Sequence, residues 1–368
     1  MTAPASSQHS IAPAQLWRGP GVWQQGLADI KKISSKPLLL GRSPNTRALR
    51  GKLAQNLTNN GLTVESAELK FDCCEIDLAA LELKVQQSKC DAVIASGGGK
   101  VLDAGKLLAD RLDLPCITVP TSAATCAGWT ALANIYSPDG AFQADVSLKR
   151  CPQLLIFDHQ LVLTAPARTL ASGIADAMAK WYEASVSSGQ SSDGLVQQAV
   201  QQARVLRDQL LIEGVAALQD PGSEAWVRVA EASALTAGLI GGLGGARCRT
   251  VAAHAVHNGL SQLPACHASL HGEKVAFGVL VQLRLEEQIG GSQLAAQARR
   301  QLTPFFKQLG LPVNLADLGL AKASLEQLQQ VCSFACQTNS DLHHLPFPVA
   351  VDDLLAALVS STQGCLVH

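Results

Sequence analysis

The sequence predicts a parallel α/β sheet over residues 1–162 and an all-helical part over residues 163–368. Three observations predict this. Up to Asp158, short apolar runs alternate with helical stretches of ten or more residues, the pattern of a parallel sheet whose strands are joined by helices. From Thr164 onward the apolar spacing is helical and no convincing strand is found. The chain has 368 residues, of which 47% are hydrophobic, enough for roughly two domains with a sizeable core.

Met1–Ala14 reads as a loose tail, and "LWRG" followed by "GPG" as a short strand and a turn. "KPLLLG" (Lys36–Gly41) is a buried strand, followed by a helical pattern through Asn59. "LTVESAEL" alternates as a further strand, "LAALELKVQQSK" (Leu78–Lys89) is helical, and "DAVIAS" (Asp91–Ser96) is a short apolar strand. "GGGK", a helix through Arg111 and the strand "PCITVP" (Pro115–Pro120) come next, and "LLIFD" (Leu154–Asp158) is the last strand. In the helical part, "SSGQSSDG" (Ser187–Gly194) is an exposed connection. Ala232–Ala246 is the longest uncharged run, rich in glycine. It is either a helix close-packed inside the domain or an association surface, and it is too short for a bilayer span of about 20 residues. No internal repeat is visible.

The formal net charge is −1 with acids and bases mixed, and aromatic residues make up 4%. A basic footprint and stacking platforms are both missing, which argues against a nucleic-acid partner. Eleven cysteines, an odd number with no CxxC pair, read as free thiols. Met1–Pro13 is polar, without the apolar core of a signal peptide. A cytoplasmic protein with no membrane partner is expected.

"DAVIASGGGKVLDAGKLL" is a strand, a glycine loop and a helix start. Gly97, Gly98 and Gly99 admit a ligand without Cβ clashes, and the free N–H groups of the following helix point at an anion. Three glycines after a strand are equally a tight turn; the β-α-β setting favours a pyrophosphate cradle. The loop is neither a Walker loop, since Val101 follows Lys100, nor GxGxxG. Asp103 and Lys106 follow on the helix, as cofactor-site residues or as an exposed ion pair. Arg42 ends the strand Pro37–Gly41, where an acid would bind the ribose 2′-OH and an arginine suits a 2′-phosphate. Arg42, with Ser43 and Arg47 nearby, is either a hint of NADP or a surface arginine.

"AAHAVHNGLSQLPACHASLHGEKVAFG" (Ala252–Gly278) holds four of the nine histidines. His254 and His257 share a helix face at i, i+3, roughly 60° apart. His271 lies 17 positions after His254 and opens the next helix. Two imidazoles and a carboxylate make an open metal site. Asp176 is the candidate acid, because a carboxylate within an apolar helix is costly unless paired. The alternatives are buried or capping histidines and an Asp176–Lys180 pair on a solvated face.

The chain resembles the glycerol dehydrogenase branch of the iron-containing alcohol dehydrogenase superfamily. The resemblance runs in order through "SGGGKVLDAGKLL", "VPTSAATCAGWTALANIY", "TAPARTLASGIADAMAKWYEA", "AAHAVHNGL" and "HGEKVAFG", nearly the whole chain. It implies an N-terminal Rossmann-like domain and a C-terminal helical domain of dehydroquinate synthase-like architecture, with the site in the cleft between them. Asp176, His254 and His271 fall on the metal ligands, for zinc or iron. Gly99, Lys100, Thr121, Thr130, Leu132 and Tyr136 fall on nicotinamide-cofactor positions, to which Gly97, Gly98, Asp103 and Ser122 of the same segments are added.

Two departures matter. Cys126 stands where glycerol dehydrogenases carry an aspartate that helps hold the polyol, and Arg42 stands at the ribose-binding acid. "PTSAATCAGWTALANIY" and "GGLGGARCRTVAAHAVHNGL" are closer to the bacterial hydroxycarboxylate dehydrogenase subgroup, which implies reduction of small 2-oxoacids with NADP(H) favoured and NAD(H) possible. Loss of a pocket carboxylate removes repulsion toward an anionic substrate. Arg247 and Arg249 could pair with its carboxylate; Arg247, seven residues before His254, shares its face if the helix extends that far. Either arginine could instead bond a neighbouring helix end. The metal would act as a Lewis acid toward the substrate oxygen and the cofactor would supply the hydride. His257 is the candidate proton relay, fourth ligand or orienting group, and Cys126 lies with it at the catalytic position. "LHHLP", with His343 and His344, resembles a family segment at the cleft. The rivals are an NAD-dependent polyol dehydrogenase, a dehydroquinate synthase-like lyase, and a non-catalytic nucleotide- or metal-binding protein. A homo-oligomer is the expected assembly.

Overall fold

The computed structural model describes residues 8–361. The first five predicted strands are present: β1 (Gln15–Gly19), β2 (Pro37–Gly41), β3 (Glu65–Glu68), β4 (Ala92–Gly97) and β5 (Cys116–Pro120). A hairpin of β6 (Leu132–Tyr136) and β7 (Phe142–Ser147) follows, and then β8 (Leu154–Asp158), the last predicted strand. The six sheet strands run parallel in the order β1-β8-β5-β4-β2-β3. Residues of β2, β4, β5 and β8 are buried throughout, as continuous apolar runs require of strands covered on both faces. β3 keeps only four residues of its predicted run, half-buried and exposed by turns, as befits the sheet's edge.

Helices α1 (Val22–Ile33), α2 (Arg47–Asn59), α3 (Glu75–Ser88) and α4 (Gly99–Arg111) cover the sheet. Strand residues point alternately to its two faces. Leu39, Ile94, Ile117 and Ile156 pack with Trp23, Leu27, Leu53 and Leu57 of α1 and α2. Leu38, Leu40 and Val93 pack with Leu78, Val85, Leu102 and Leu108 of α3 and α4. Asp158 ties the layers: its carboxylate accepts the N–H groups of Gly21, Trp23 and Gln160 at 3.0, 2.9 and 2.9 Å, so one buried acid caps two helix starts.

The chain reverses its build direction between β2 and β4, because β3 lies beyond β2 and β5 lies beyond β4. Ligands of open α/β sheets bind at such a switch point, outside the carboxyl ends of the strands. Arg42 follows β2 there and the glycine loop follows β4.

The remainder is helical: α5 (His159–Val162), α6 (Ala167–Ser188), α7 (Gly194–Gln219), α8 (Glu224–Glu231), α9 (Ala237–Gly244), α10 (Ala252–Leu260), α11 (His271–Gln288), α12 (Gln293–Gln308), α13 (Leu325–Ala335) and α14 (Val351–Ser360). The Ser187–Gly194 connection falls between α6 and α7 as expected. Ala232–Ala246 resolves toward the packed alternative. A π-helical turn (Ala232–Thr236) leads into α9, where a Cβ on Gly238 would come within 2.5 Å of Trp129 and one on Gly242 within 2.3 Å of the Ile11 carbonyl. The expected loose tail is corrected for its described part. Ile11 and Ala14 are anchored by hydrogen bonds from Trp129 Nε1 (3.0 Å) and to the Pro152 carbonyl (3.1 Å); Met1–Ser7 lie outside the described residues.

Two elements were not anticipated from sequence, α1 and the β6–β7 hairpin. The hairpin is fastened to the helical part: Phe142 N–H donates to Ser261 Oγ (3.0 Å) and Gln262 Nε2 donates to the Phe142 carbonyl (2.9 Å). Among the described residues ten cysteines are free, and no helix is long and apolar enough to cross a membrane.

Glu286 on α11 gives the helical part a pH dependence. Burial pushes its carboxyl up to about 7, against the opposing hydrogen bond from Gln282 (3.0 Å). An acid raised in the folded state contributes stability that is present below its ordinary value, 4.5, and is lost as pH rises through about 7. Glu286→Gln is therefore expected to match the native chain near pH 5 and to be more stable at pH 8 by up to about 3 kcal/mol, read from urea unfolding at both pH values.

Candidate active site

Asp176 lies in the middle of α6, His254 in the first turn of α10, and His271 opens α11. Close helix crossings bring them together. A Cβ on Gly173 would sit 1.9 Å from the Ala123 carbonyl, one on Gly272 1.8 Å from the Ser172 carbonyl, and one on Gly278 2.3 Å from the Ala253 carbonyl. Each contact adjoins one of the three side chains: glycine at 272 and 278 lets α11 meet α6 and α10, and glycine at 173 lets α6 meet the loop after β5. Gly272 N–H also donates to Ser172 Oγ at 3.0 Å. Glu273 accepts Leu270 N–H at 2.7 Å and is gripped by Arg168, with 2.6 Å from Nη2 to Oε2, which pins the α11 start against the α6 start.

Asp176 Oδ1 lies 3.3 Å from His254 Nε2 and 3.4 Å from His271 Nε2. One donor atom from each of the three falls within 4.8 Å of the others. The set is one carboxylate oxygen and two imidazole nitrogens, which suits zinc or ferrous iron and leaves coordination positions open. Asp176 is 3% exposed and His254 6%. Burial works against the Asp176 charge, but Lys180 and the two histidines outweigh it and hold the carboxyl well below its ordinary range. Burial also opposes the His254 charge, yet Glu183 and Asp176 raise it to about 9. The Lys180 alternative is half right: Nζ lies 3.6 Å from Asp176 Oδ1, but both groups are buried, not on a solvated face.

His257 is buried with its ring 4.1 Å from that of His271, centroid to centroid, and its Nδ1 lies 2.8 Å from Asn258 Oδ1. Burial and His271 hold it well below the ordinary imidazole value, so it is neutral there. It stands beside the trio and not within it. Cys126 joins the pocket next to Lys180 and Asp176; burial pushes its thiol up, and Lys180 pulls the other way.

The glycine loop has the geometry of an anion cradle. Gly98 is the extended residue before α4, and a Cβ there would meet nothing nearer than Ser122 Oγ at 3.8 Å. A Cβ on Gly99 would come within 3.0 Å of Thr125 Oγ1, which ties the cradle to the loop carrying Cys126. Thr121 N–H donates to the Gly97 carbonyl at 3.0 Å. Lys100 reaches the Asp72 carboxylate and lies 4.8 Å from the Tyr136 ring centre. Room above a helix N-terminus, flanked by Thr121, Ser122, Lys100 and Tyr136, fits a dinucleotide.

Other predicted residues are committed elsewhere. Asp103 and Lys106 are not an exposed pair: both are buried, 3.0 Å apart, and Lys106 also donates to the Thr130 hydroxyl and to the Thr130 and Leu132 carbonyls. They tie α4 to the start of the hairpin, where Asp103 also accepts Asn134 N–H at 3.3 Å. Arg42 is half-exposed and its Nη1 lies 2.9 Å from Asp72 Oδ1, so this cation has an acid partner. The Arg247 face argument is corrected, because α10 begins only at Ala252 and residue 247 lies in a separate 3-10 turn, Ala246–Cys248. The Arg247 side chain lies outside the described residues. The Arg249 carbonyl accepts from Lys180 Nζ at 3.4 Å, and its Nε is buried without a hydrogen-bond partner. His344 Nδ1 lies 3.1 Å from the Thr250 carbonyl, while exposed His343 bonds the Gln337 carbonyl. Two acids were not singled out from sequence. Glu183, seven residues after Asp176 in the same apolar helix, was within reach of the periodicity; Asp72, in a loop, carried no such signal.

Comparison with known proteins agrees with this layout. The family model for iron-containing alcohol dehydrogenase matches residues 13–159. An uncharacterized oxidoreductase of Synechocystis sp. is 57% identical, over 90% of this chain and 86% of its own. A glycerol dehydrogenase of Escherichia coli (strain CFT073) is 32% identical over 94% and 96% of the two chains. Hydroxycarboxylate dehydrogenase A of Escherichia coli K12 is 35% identical over 77% and 78%. The crystal structure of a probable glycerol dehydrogenase from Sinorhizobium meliloti superposes with a TM-score of 0.85 at 27% identity, over 95% of this chain and 96% of the other. With the family model matching residues 13–159 and a glycerol dehydrogenase aligned over nearly the whole length of both chains, the protein belongs to the iron-containing alcohol dehydrogenase superfamily, in its glycerol dehydrogenase-like branch.

Proposed function

We propose that this oxidoreductase is a metal-dependent hydroxycarboxylate dehydrogenase, which interconverts a small 2-oxoacid and its 2-hydroxyacid with NADP(H) favoured over NAD(H). The carrying observation is the charge of the pocket beside the donor trio. Position 126 holds a thiol, Lys180 lies 3.6 Å from Asp176, and Arg249, whose charge bears on Lys180, has its Nε buried without a hydrogen-bond partner. A buried, unpaired guanidinium nitrogen is costly unless an acceptor completes it, and a substrate carboxylate is such an acceptor. The similarity to hydroxycarboxylate dehydrogenase A supports the same reading.

Asp176, His254 and His271 would hold one zinc or iron ion, which when bound supplies Lewis acidity toward the substrate oxygen. Gly98, Gly99 and Lys100 would orient the cofactor, and Arg249 the carboxylate. Neutral His257, buried beside His271, is the candidate group for passing a proton to or from the substrate oxygen. Arg42 favours a 2′-phosphate by charge, with Asp72 tempering the preference.

The rival reading, NAD-linked oxidation of a polyol, is favoured by the similarity to glycerol dehydrogenases. A matrix of activities decides between them: 2-oxobutanoate, 2-oxoglutarate and glycerol, each with both cofactors, on metal-reconstituted enzyme. The expected result is highest kcat/KM with a 2-oxoacid and NADPH. Arg249→Met is expected to raise the oxoacid KM by about 10- to 100-fold, the loss of one charge-assisted contact of about 1.5–3 kcal/mol. Glycerol with NAD as the best pair would overturn the proposal.

A further inference from the structure

Glu183 is 0% exposed, and an acid so placed needs strong partners. It has three, all on the first turn of α10. Its Oε1 accepts the N–H of Val251 at 2.6 Å and that of His254 at 3.1 Å, and its Oε2 lies 2.6 Å from His254 Nδ1. Glu183 lies two turns after Asp176 on α6, so one helix carries both the acid beside His254 Nε2 and the acid beside its Nδ1. Gln282 of α11 fixes the other side of this turn: its Oε1 accepts Ala253 N–H at 3.0 Å and its Nε2 donates to the Tyr182 carbonyl at 2.9 Å.

We propose that Glu183 is the positioning residue of the metal centre, selecting the His254 tautomer that carries its hydrogen on Nδ1 and turns the Nε2 lone pair toward Asp176 and His271. This rests on the metal-centre reading above. An ionised carboxylate only accepts hydrogen bonds, so Nδ1 must donate. A metal ligand must be the neutral ring, and with Nδ1 committed to Glu183 its lone pair falls on Nε2, the atom beside Asp176 Oδ1. A carboxylate on the far nitrogen also orients the ring and raises its basicity. Because the same carboxylate caps α10 through two backbone N–H groups, ring orientation and helix position are locked together. Glu183→Gln keeps the volume but breaks the logic. Its amide NH2 turned toward Nδ1 would force the hydrogen onto Nε2; turned toward the backbone it would set donor against donor.

The test uses the full-length apoprotein, titrated with zinc against a competing chelator, alongside thermal unfolding of the same apo samples and 15N spectra of histidine-labelled zinc-loaded native enzyme. Glu183→Gln is expected to weaken zinc binding by about 10- to 100-fold while Glu183→Asp, which keeps an acceptor-only group, recovers part of the loss. The native spectra are expected to show His254 protonated at Nδ1 and zinc-bound at Nε2. A purely capping role would lower the apo Tm of Glu183→Gln and leave zinc affinity within twofold of native, which overturns the proposal. So does a His254 bound through Nδ1, and that readout needs no variant to fold. Native chain that binds no zinc, or binds it as well after Asp176→Asn, would instead sink the metal-centre reading on its own.

Discussion

Asp176→Asn is expected to lower kcat/KM by about a thousandfold or more, on the order of 4 kcal/mol of transition-state stabilisation, and to remove the bound metal with it. The substitution changes a single atom's chemistry. Oδ1 of Asp176 is the point on which His254 Nε2, His271 Nε2 and Lys180 Nζ converge, at 3.3, 3.4 and 3.6 Å. An amide there is a neutral, weak ligand, and it leaves the buried Lys180 without the anion that outweighs its burial. Breaking a buried pair in this way costs about 3–5 kcal/mol when the remaining charge is retained, so part of the effect appears as lower stability. Metal analysis, kinetics and circular dichroism on the same preparation separate the two. Activity above a tenth of native with full structure would contradict the assignment.

Gly272→Ala is expected to be the most damaging single-methyl change, with a stability loss on the order of 3 kcal/mol or more. The added Cβ would lie 1.8 Å from the Ser172 carbonyl oxygen and 2.7 Å from Ser172 Oγ. These are the backbone of a neighbouring helix and the acceptor of the Gly272 N–H, so no flexible side chain can turn away. α6 and α11 must separate, and Asp176 and His271 separate with them. Gly51→Ala is the control: it lies in α2 with nothing within 4 Å of the new Cβ, and alanine's better helix propensity is expected to add up to about 1 kcal/mol of stability. Urea midpoints of the two variants check both signs. Equal stability of Gly272→Ala and native chain would mean that the helix crossing is looser than these distances state.

What the residues alone could reveal followed the range of the interaction concerned. The sheet strands were legible because a strand buried on both faces must be apolar along its length, as "LLIFD" and "DAVIAS" are. The β6–β7 hairpin was not, since "FQADVS" is mixed in polarity and mostly exposed and its partner follows a loop rich in small residues. The glycine cradle was legible from its β-α-β setting. The candidate trio was suggested by histidine spacing and by an acid in an apolar helix, with alternatives that the family resemblance narrowed; its closure depends on two glycine-mediated helix crossings and one glycine contact with a loop, which no local period encodes. Arg42 read as a cation after a strand, but its pairing with Asp72 joins two loops with no shared periodicity. Glu183 lay in plain register with Asp176, two turns on, and an acid in an apolar helix was as strong a signal there as at Asp176 itself.

The most direct measurement is anomalous diffraction at the zinc and iron edges from crystals of metal-reconstituted enzyme. A single strong peak among Asp176 Oδ1, His254 Nε2 and His271 Nε2, with one ion per chain, is the result the account predicts. Fully active crystals with no peak there, or with the ion held by other side chains, would contradict it.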